Sequence, residues 1–345
     1  MRDDESRKAQ WVVLRHSSDA EPGYTRKRQG RYWAYYDGDK RVTDRDTIER
    51  LNSIALPPAY KDAWFCKDPN GHLQATGIDD RGRKQYRYHP LFRAKREHSK
   101  FAGLAEFGKA LPKIRRKVDQ DLRKRSLSRD KVVAAVIRLL DDDYLRVGNE
   151  EYAKQNKSYG ATTLLSRQVK DDGRKVRMRF KGKSGVQHEV TITDRTLRRI
   201  VRQLQELPGQ ALFQYVNGDG NPHPITSTEV NEYIREVSGG DFTAKHFRTW
   251  GATVLAFEQM LEKADDARIS VKTMIEPVAE ALGNTVAMSR KAYVHPALIE
   301  AVKDNPRDPL KGLERPRARK WLSSCEVALI PFLKKVARKS RKAAA

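Results

Sequence analysis

The chain has 345 residues, and its 69 Lys and Arg against 45 Asp and Glu give a formal net charge of +24 and a pI near 10.0. This charge favours a nucleic acid partner through counterion release, although ribosomal, chromatin-like and peripheral membrane proteins share it. Cys66 and Cys325 lack the spacing of a disulfide framework or metal site, and no apolar run could span a bilayer. We therefore expect about two domains in a protein of the cytoplasm and nucleoid, with free thiols and without a secretory leader.

The first ninety or so residues have the pattern of a small β-rich domain. Aromatic stretches at Arg31–Tyr36 and Ala63–Cys66, each followed by turn residues, predict short strands. One helix is predicted over Asp44–Ile54. A basic segment, Arg81–Lys100, follows, and we place the domain boundary inside it, near Arg96. The predicted domains are residues 1–95 and residues 96–345.

Helical periodicity dominates after this boundary. Apolar residues from Val133 to Val147 recur at spacings of three and four, and Gly148 then supplies a stop. This pattern predicts a buried helix with Arg146 in its last turn. The expected fold class is therefore α+β, with a β-rich N-terminal domain followed by a larger, mainly helical domain.

A hairpin interrupts the helices. Between Arg174 and Thr193 the apolar residues alternate with period two around the turn Gly182–Gly185, which places Lys183 at the tip. Helices then resume, with Asp194 as a predicted N-cap and a predicted capping box that begins at Thr226. The larger domain should therefore contain a small sheet among its helices.

The stretch from Leu282 to Val294 contains an amide, two cations and a tyrosine. Tyr293 is a candidate nucleophile for a phosphodiester, because its phenol, with an ordinary pKa near 10, could be activated by neighbouring cations. A helix from about Thr243 supplies Arg248, and arginine can donate two parallel hydrogen bonds to nonbridging phosphate oxygens.

The sequence contains no DxD carboxylate cluster, no Walker loop and no HExxH helix, so we expect neither a metal nor a nucleotide cofactor. Side chains would then have to stabilise the charge of a phosphorane-like transition state. The leaving alkoxide would also need a proton, and Lys183 on its hairpin tip is a plausible donor.

Five separated segments resemble motifs of the poxvirus-type and bacterial DNA topoisomerase IB family, in the family's order. They are GRKQYRYHP with Gln85, Tyr86 and Tyr88, YLRVGNEEY with Arg146, FKGKSGVQHE with Lys183, KHFRTWG with Lys245 and Arg248, and LGNTVAMSRKAYV with Asn284 and Tyr293. The first resembles the family's DNA-contacting segment, to which we add Arg83 and Lys84. Asn284 replaces the histidine of the poxvirus pattern, and its neutral amide can donate a hydrogen bond but cannot act as acid or base at neutral pH.

The resemblance implies a monomer that closes as a bilobed clamp around double-stranded DNA. Tyr293 would attack a backbone phosphate and form a 3′-phosphotyrosyl ester, while Arg146, Arg248 and Asn284 bind its nonbridging oxygens. Lys183, with Arg146 as a second candidate, would protonate the leaving 5′-oxygen. Rotation of the cleaved strand and religation would then relax supercoils without ATP or metal.

Two other classes of protein remain open from the residues alone. A tyrosine recombinase uses the same Arg, Lys, Arg and Tyr, although we expect its N-terminal domain to be helical. A noncatalytic, basic DNA-packing protein would bind DNA but form no covalent adduct. Each residue also has a structural alternative, such as a cation at a helix end for Arg146 or a packed ring for Tyr293. For His188 and His246 we favour a structural role.

Overall fold

The computed structural model describes residues 13–343 apart from 219, 263–267 and 314–315. The first ten residues, in which we expect no secretory leader, lie outside this range. The contacts divide the chain into two compact units, residues 1–101 and residues 102–345. No helix in the described part of the chain combines the length and the apolar character that crossing a membrane requires.

The first unit contains a six-stranded antiparallel sheet. Its strands are β1 (Tyr24–Gln29), β2 (Tyr32–Asp37), β3 (Lys40–Arg41), β4 (Lys61–Phe65), β5 (Leu73–Ile78) and β6 (Lys84–Tyr88). They lie in the order β3-β2-β1-β4-β5-β6, so β6 forms one edge. Helix α1 (Arg45–Ser53) contributes the buried Leu51 to a core that contains Tyr35 and Phe65 of the sheet.

Local capping explains where α1 begins. The carboxylate of Asp44 accepts the backbone N–H of Thr47 at 2.8 Å, which satisfies one of the unpaired donors of the first turn. The predicted helix and the two predicted aromatic strands are thereby confirmed, with small shifts at their ends. The β-rich character of the N-terminal region is confirmed with them.

Helix α2 (Pro90–Ala102) follows β6 and contains the predicted domain boundary near Arg96. Proline suits the start of a helix, because the N–H that it lacks would have no partner there. The contacts divide the chain after Phe101, a few residues beyond the predicted position. The predicted limits, 1–95 and 96–345, remain a prediction.

The second unit is mainly helical with two small sheets. Its helices are α3 (Leu104–Leu122), α4 (Arg129–Asp142), α5 (Glu150–Asn156), α6 (Arg195–Gln205), α7 (Ser227–Ser238), α8 (Ala244–Glu262), α9 (Val271–Leu282), α10 (Val286–Ala292), α11 (Pro296–Asp304) and α12 (Ser324–Ala343). Its strands are β7 (Val169–Asp171), β8 (Val176–Lys181), β9 (Gln187–Ile192), β10 (Gln214–Val216) and β11 (Pro222–Pro224).

Helix α4 lies at the centre of this unit. From Val132 to Ile137 no side chain is more than 1% exposed, and such a helix, apolar on every side, must be surrounded by other elements. It packs against α3, α7 and α8. Helix α8, which carries Arg248, is therefore fixed against the most buried part of the core.

The predicted position of Arg146 in the last turn of this helix is wrong. Helix α4 ends at Asp142, and the backbone N–H of Asp143 makes the last helical hydrogen bond, to Leu139. Carboxylates at a helix C-terminus are disfavoured by the helix dipole, and Tyr144 then takes a left-handed conformation with φ of 52°. Arg146 therefore lies in the connection after the helix.

The predicted hairpin and helix caps are confirmed. Strands β8 and β9 pair from Val176↔Ile192 to Lys181↔Gln187, β7 adds a third strand, and Lys183 is exposed in the turn. Asp194 accepts the backbone N–H of Leu197 at 2.7 Å and so begins α6. Thr226 and Glu229 form the reciprocal capping box of α7.

Candidate active site

Backbone contacts hold the segment that carries Arg146. The Arg146 carbonyl accepts the N–H of Ala161 at 2.8 Å, and the Val147 carbonyl accepts the N–H of Thr162 at 2.7 Å. Gly160 lies so close that an added Cβ would be 2.5 Å from the Arg146 carbonyl oxygen. The guanidinium is thus presented from a backbone that is fixed on one side.

Arg248 lies on the buried face of α8 and is only 4% exposed. Its guanidinium donates hydrogen bonds to the carbonyl oxygens of Tyr144 and Leu282. The Tyr144 backbone can approach because its ring covers Gly251, where a Cβ would lie 2.1 Å from the ring. Burial, together with the charge of Arg146, lowers the pKa of Arg248 to about 10.

Asn284 and Tyr293 are placed by consecutive helix ends. Gly283 ends α9 in a left-handed conformation with φ of 59°, and Asn284 follows it directly. The Oδ1 atom of Asn284 accepts a hydrogen bond of 3.0 Å from Nη2 of Arg146. Tyr293 is the C-cap of α10, and its N–H donates to the carbonyl of Ser289.

The phenol of Tyr293 lies close to two guanidinium groups. The Cζ atom of Arg248 is 5.1 Å from the centre of the tyrosine ring. Burial of the phenol raises its pKa, but the charges of Arg146 and Arg248, together with their hydrogen bonds, outweigh this effect and lower the pKa of Tyr293 below its ordinary value. The pocket therefore favours the phenolate, as a nucleophile requires.

Two buried donors of the pocket have no partner among the described residues. They are Nδ2 of Asn284 and Nε of Arg248. A buried donor without an acceptor costs free energy, so such groups are uncommon in folded proteins. The Asn284 amide uses its oxygen for Arg146 and leaves its NH₂ for another acceptor, such as a phosphate oxygen.

The predicted catalytic residues divide into two groups. Arg146, Arg248, Asn284 and Tyr293 come together in one pocket. Lys183 is exposed at the hairpin tip, and no hydrogen bond or ion pair joins it to the described residues. Its role as proton donor remains a prediction.

The edge strand β6 carries most of the predicted DNA contacts. Tyr86 and Tyr88 stack with ring centres 6.2 Å apart, whereas Gln85 lies on the opposite face, because side chains alternate along a strand. Gln85 Nε2 and Arg83 Nε both donate to Oδ2 of Asp79 at 2.9 Å. The hydrogen bond from Arg83 holds the pKa of Asp79 well below its usual range. Lys84 forms an ion pair with Asp19.

The start of α8 carries two further residues that the sequence indicated. Lys245 is exposed and can therefore meet a phosphate. The Nδ1 atom of His246 accepts the backbone N–H of Thr243 at 3.0 Å, and its ring packs against Phe107 and Phe242. These contacts agree with the structural role that we favoured for His246.

Two residues near the pocket were not assigned a catalytic part from the sequence. Thr253 is fully buried on α8. Its hydroxyl oxygen lies 3.3 Å from the Tyr293 carbonyl oxygen and 3.3 Å from the backbone nitrogen of His295. The sequence could have indicated Thr253, because it is a polar residue in the apolar stripe of α8. It could have indicated His188 in the same way, because this histidine interrupts the alternating apolar residues of β9.

The cysteines and the acidic residues add no further site in the described part of the chain. Cys66 and Cys325 are both buried, and neither forms a disulfide. Among the residues with described positions, no group of three His, Cys, Asp or Glu side chains is placed to hold a metal ion.

Comparisons with known proteins identify the relatives of both parts of the chain. Residues 89–308 match the catalytic core of eukaryotic DNA topoisomerase I, and residues 32–79 match the N-terminal domain of bacterial DNA topoisomerase IB. DNA topoisomerase 1B of Acanthamoeba polyphaga mimivirus is 34% identical over 298 residues, which is 82% of this chain and 88% of that protein. The enzyme of vaccinia virus strain Copenhagen is 20% identical over 276 residues, 76% of this chain and 83% of that protein.

Among solved structures, the chain shows a weak likeness to the XerH site-specific recombinase bound to palindromic difH substrate. The TM-score is 0.37 at 18% identity, with 56% of this chain and 50% of the recombinase chain covered. A likeness of this size carries no argument about mechanism or assembly.

Proposed function

The chain belongs to the type IB DNA topoisomerases, and we propose that Tyr293 is the nucleophile through which it breaks and rejoins one strand of duplex DNA. The observation that carries this proposal is that the phenol interacts with the guanidiniums of both Arg146 and Arg248. The two positive charges stabilise the phenolate and, during attack, the nonbridging oxygens of the phosphate.

The chemical step is an in-line displacement at phosphorus. The Tyr293 oxygen forms a bond to phosphorus as the bond to the 5′-oxygen breaks, and the tyrosine proton is released. The leaving oxygen takes a proton from Lys183, with Arg146 as a second candidate. Arg146, Arg248 and the free NH₂ of Asn284 donate to the nonbridging oxygens. The product is a 3′-phosphotyrosyl ester and a free 5′-hydroxyl.

The ester keeps the energy of the phosphodiester that it replaces, so religation needs no ATP. Between cleavage and religation the free strand rotates, and the supercoils relax. We propose that the reaction also proceeds without a bound metal ion, because two guanidiniums already supply the positive charge that the transition state requires.

We propose that DNA is bound by a monomer that closes as a bilobed clamp. Tyr86 and Tyr88 form a stacked aromatic pair on the edge strand and can contact bases, while Arg83, Lys84 and Lys245 can contact phosphates. Gln85 can donate to a base edge once it leaves Asp79. Binding to the chromosome would place the protein at the nucleoid.

Family membership decides between the classes that the catalytic residues left open. A recombinase would share Arg146, Lys183, Arg248 and Tyr293, but the N-terminal region matches the domain of bacterial DNA topoisomerase IB. A noncatalytic packing protein is not expected to match a catalytic core over residues 89–308.

The nucleophile is tested by trapping the adduct. Purified protein is mixed with supercoiled plasmid in EDTA without ATP, quenched with detergent and resolved on a denaturing gel. We expect covalent protein–DNA adducts and relaxation with the wild type, and neither with Tyr293→Phe. Tyr215→Phe, which alters a tyrosine of β10, is the matched control and should behave as wild type. An adduct formed by Tyr293→Phe would contradict the assignment.

A further inference from the structure

The imidazole of His188 fills a slot between two glycines. It projects from β9 and stacks on Phe180 of β8, with ring centres 5.4 Å apart. A Cβ added to Gly182 would lie 2.5 Å from Cδ2 of the ring, and one added to Gly283 would lie 2.8 Å from Cε1. Two separate backbone segments therefore contact the ring more closely than any residue with a side chain would allow.

Each of these glycines precedes a residue with a proposed part in the reaction. Gly182 comes directly before Lys183, and Gly283 comes directly before Asn284. The Gly182 N–H donates to the Val186 carbonyl at 2.7 Å and closes the hairpin turn. The ring thus contacts the backbone next to the proposed proton donor and next to the proposed oxyanion donor.

We propose that His188 is a positioning residue whose ring sets the spacing between the hairpin turn of Lys183 and the helix end of Asn284. This inference rests on the proposed roles of Lys183 and Asn284. Besides the ring and the hydrogen bonds within the turn, a hydrogen bond from the Tyr159 N–H to the Lys181 carbonyl joins the hairpin to another segment. That bond fixes the end of β8 but does not reach the turn itself.

The ring suits this position because it is flat and uncharged. Burial, with the charges of Arg248 and Arg146, lowers the pKa of His188, so the imidazole is neutral at neutral pH and adds no repulsion to the pocket. No hydrogen bond to either ring nitrogen is found among the described residues. The contacts that the ring does make are with Phe180 and the two glycines, which indicates that its shape is what matters.

The first test compares two leaving groups in single-turnover cleavage. His188→Ala should slow cleavage of an ordinary 5′-oxygen substrate about tenfold or more, since a misplaced acid transfers its proton poorly. A 5′-sulfur substrate needs little protonation and should show a clearly smaller loss. His188→Phe keeps a flat ring on Phe180 without ring nitrogens and should recover most of the rate. His223→Ala, on β11, is the matched control and should cleave as wild type.

The second test uses the tight contact with Gly182. Its φ of −90° suits alanine, so Gly182→Ala is opposed only by the imidazole that its methyl group meets. Gly182→Ala should therefore slow the wild type, whereas the double variant with His188→Ala should be no slower than His188→Ala alone. Circular dichroism and DNA binding of each variant verify that it is folded.

The outcomes separate the two proposals. If the wild type forms no adduct, the proposed function fails. If the wild type forms the adduct but His188→Ala cleaves at the wild-type rate, the positioning role is wrong. It is also wrong if His188→Ala loses the same fraction of its cleavage rate with both leaving groups. Additive losses in the double variant, or His188→Phe as slow as His188→Ala, would also overturn it.

Discussion

The cations at the start of strand β6 and those of the catalytic pocket have different kinds of partner. Beside β6, Arg83 forms an ion pair of 2.7 Å with Asp79. In the pocket, Arg146 and Arg248 donate to neutral amide and carbonyl oxygens, and no carboxylate pairs with them among the described residues. Arg83 and Lys84 are therefore paired with carboxylates before DNA arrives, whereas the pocket keeps its charge.

This difference indicates what each region contributes. An arginine that leaves a carboxylate for a phosphate exchanges one ion pair for another, so its net contribution to DNA affinity is small. A buried arginine without a carboxylate has lost its hydration during folding, as the lowered pKa of Arg248 indicates. A phosphate bound in the pocket as proposed would supply the missing negative charge, and this gain would be available for catalysis. The following predictions test this contrast.

The largest effect is expected for Arg248→Ala. Loss of a buried charge beside the phosphate should slow single-turnover cleavage by about 10²–10³-fold, as for the removal of an oxyanion donor. DNA affinity at moderate salt should change far less. Arg235→Ala, which removes an exposed arginine of α7, is the control and should leave the rate unchanged. A loss below threefold would mean that the buried charge is not used in the reaction.

A smaller but more specific effect is expected for Asn284→Asp. The new carboxylate would lie near Nη2 of Arg146, now 3.0 Å from the amide oxygen, and would give the pocket the kind of ion pair seen on β6. Cleavage should fall about 10²-fold, further than the roughly tenfold loss expected for Asn284→Ala. Single-turnover cleavage rate constants for Asn284→Asp and Asn284→Ala test this prediction. Equal losses of cleavage rate in the two variants would argue against a role for the unpaired positive charge of the pocket.

The titration of the Tyr293 phenol tests the positive charge of the pocket in the absence of DNA. Because the cations lower the pKa of Tyr293, its phenol should lose its proton at a lower pH than an ordinary tyrosine. Arg146→Leu keeps the phenol buried, which raises its pKa, and removes one of the two charges that lower it. The titration of Tyr293 should therefore move to higher pH. NMR of ¹³C-labelled tyrosine rings measures the titration in the wild type and in Arg146→Leu, and Tyr293→Phe identifies the signal. An unchanged titration in Arg146→Leu would exclude this cause.

The smallest effect is expected on β6. Asp79→Asn releases Arg83 and Gln85, so DNA binding should tighten a few-fold at low salt, and the slope of log affinity against log salt should steepen by up to about one. Asp80→Asn changes the net charge equally but releases no described ion pair. Similar tightening by both variants would show that only net charge matters.

Local patterns predicted much of the fold, because capping and alternation depend on neighbouring residues. The caps at Asp194 and Thr226 and the hairpin around Lys183 followed from such patterns. The prediction that the helix extends to Arg146 was wrong. Tyr144 continues the apolar spacing of the helix, although the backbone has already left the helical conformation there. Its ring packs on Gly251, more than a hundred residues away.

The site residues were predicted through resemblance, but their surroundings were not. The contact of His188 with Gly283 joins a strand to a helix end far along the chain, and no local pattern encodes it. The pairing of Arg83 with Asp79 is different, since the two residues flank a short turn and are four apart. That ion pair was open to prediction from the sequence.

The contacts of Thr253 have a mechanical consequence. Its hydroxyl lies 3.3 Å from two backbone atoms that follow the tyrosine side chain along the chain, the Tyr293 carbonyl oxygen and the His295 nitrogen. With Tyr293 as the proposed nucleophile, superhelical torque on the turning duplex would pull on the phosphotyrosine bond and so on this backbone. Thr253 would then pass the force into α8 and the packed core. The cleaved DNA end would thereby be held in position for religation.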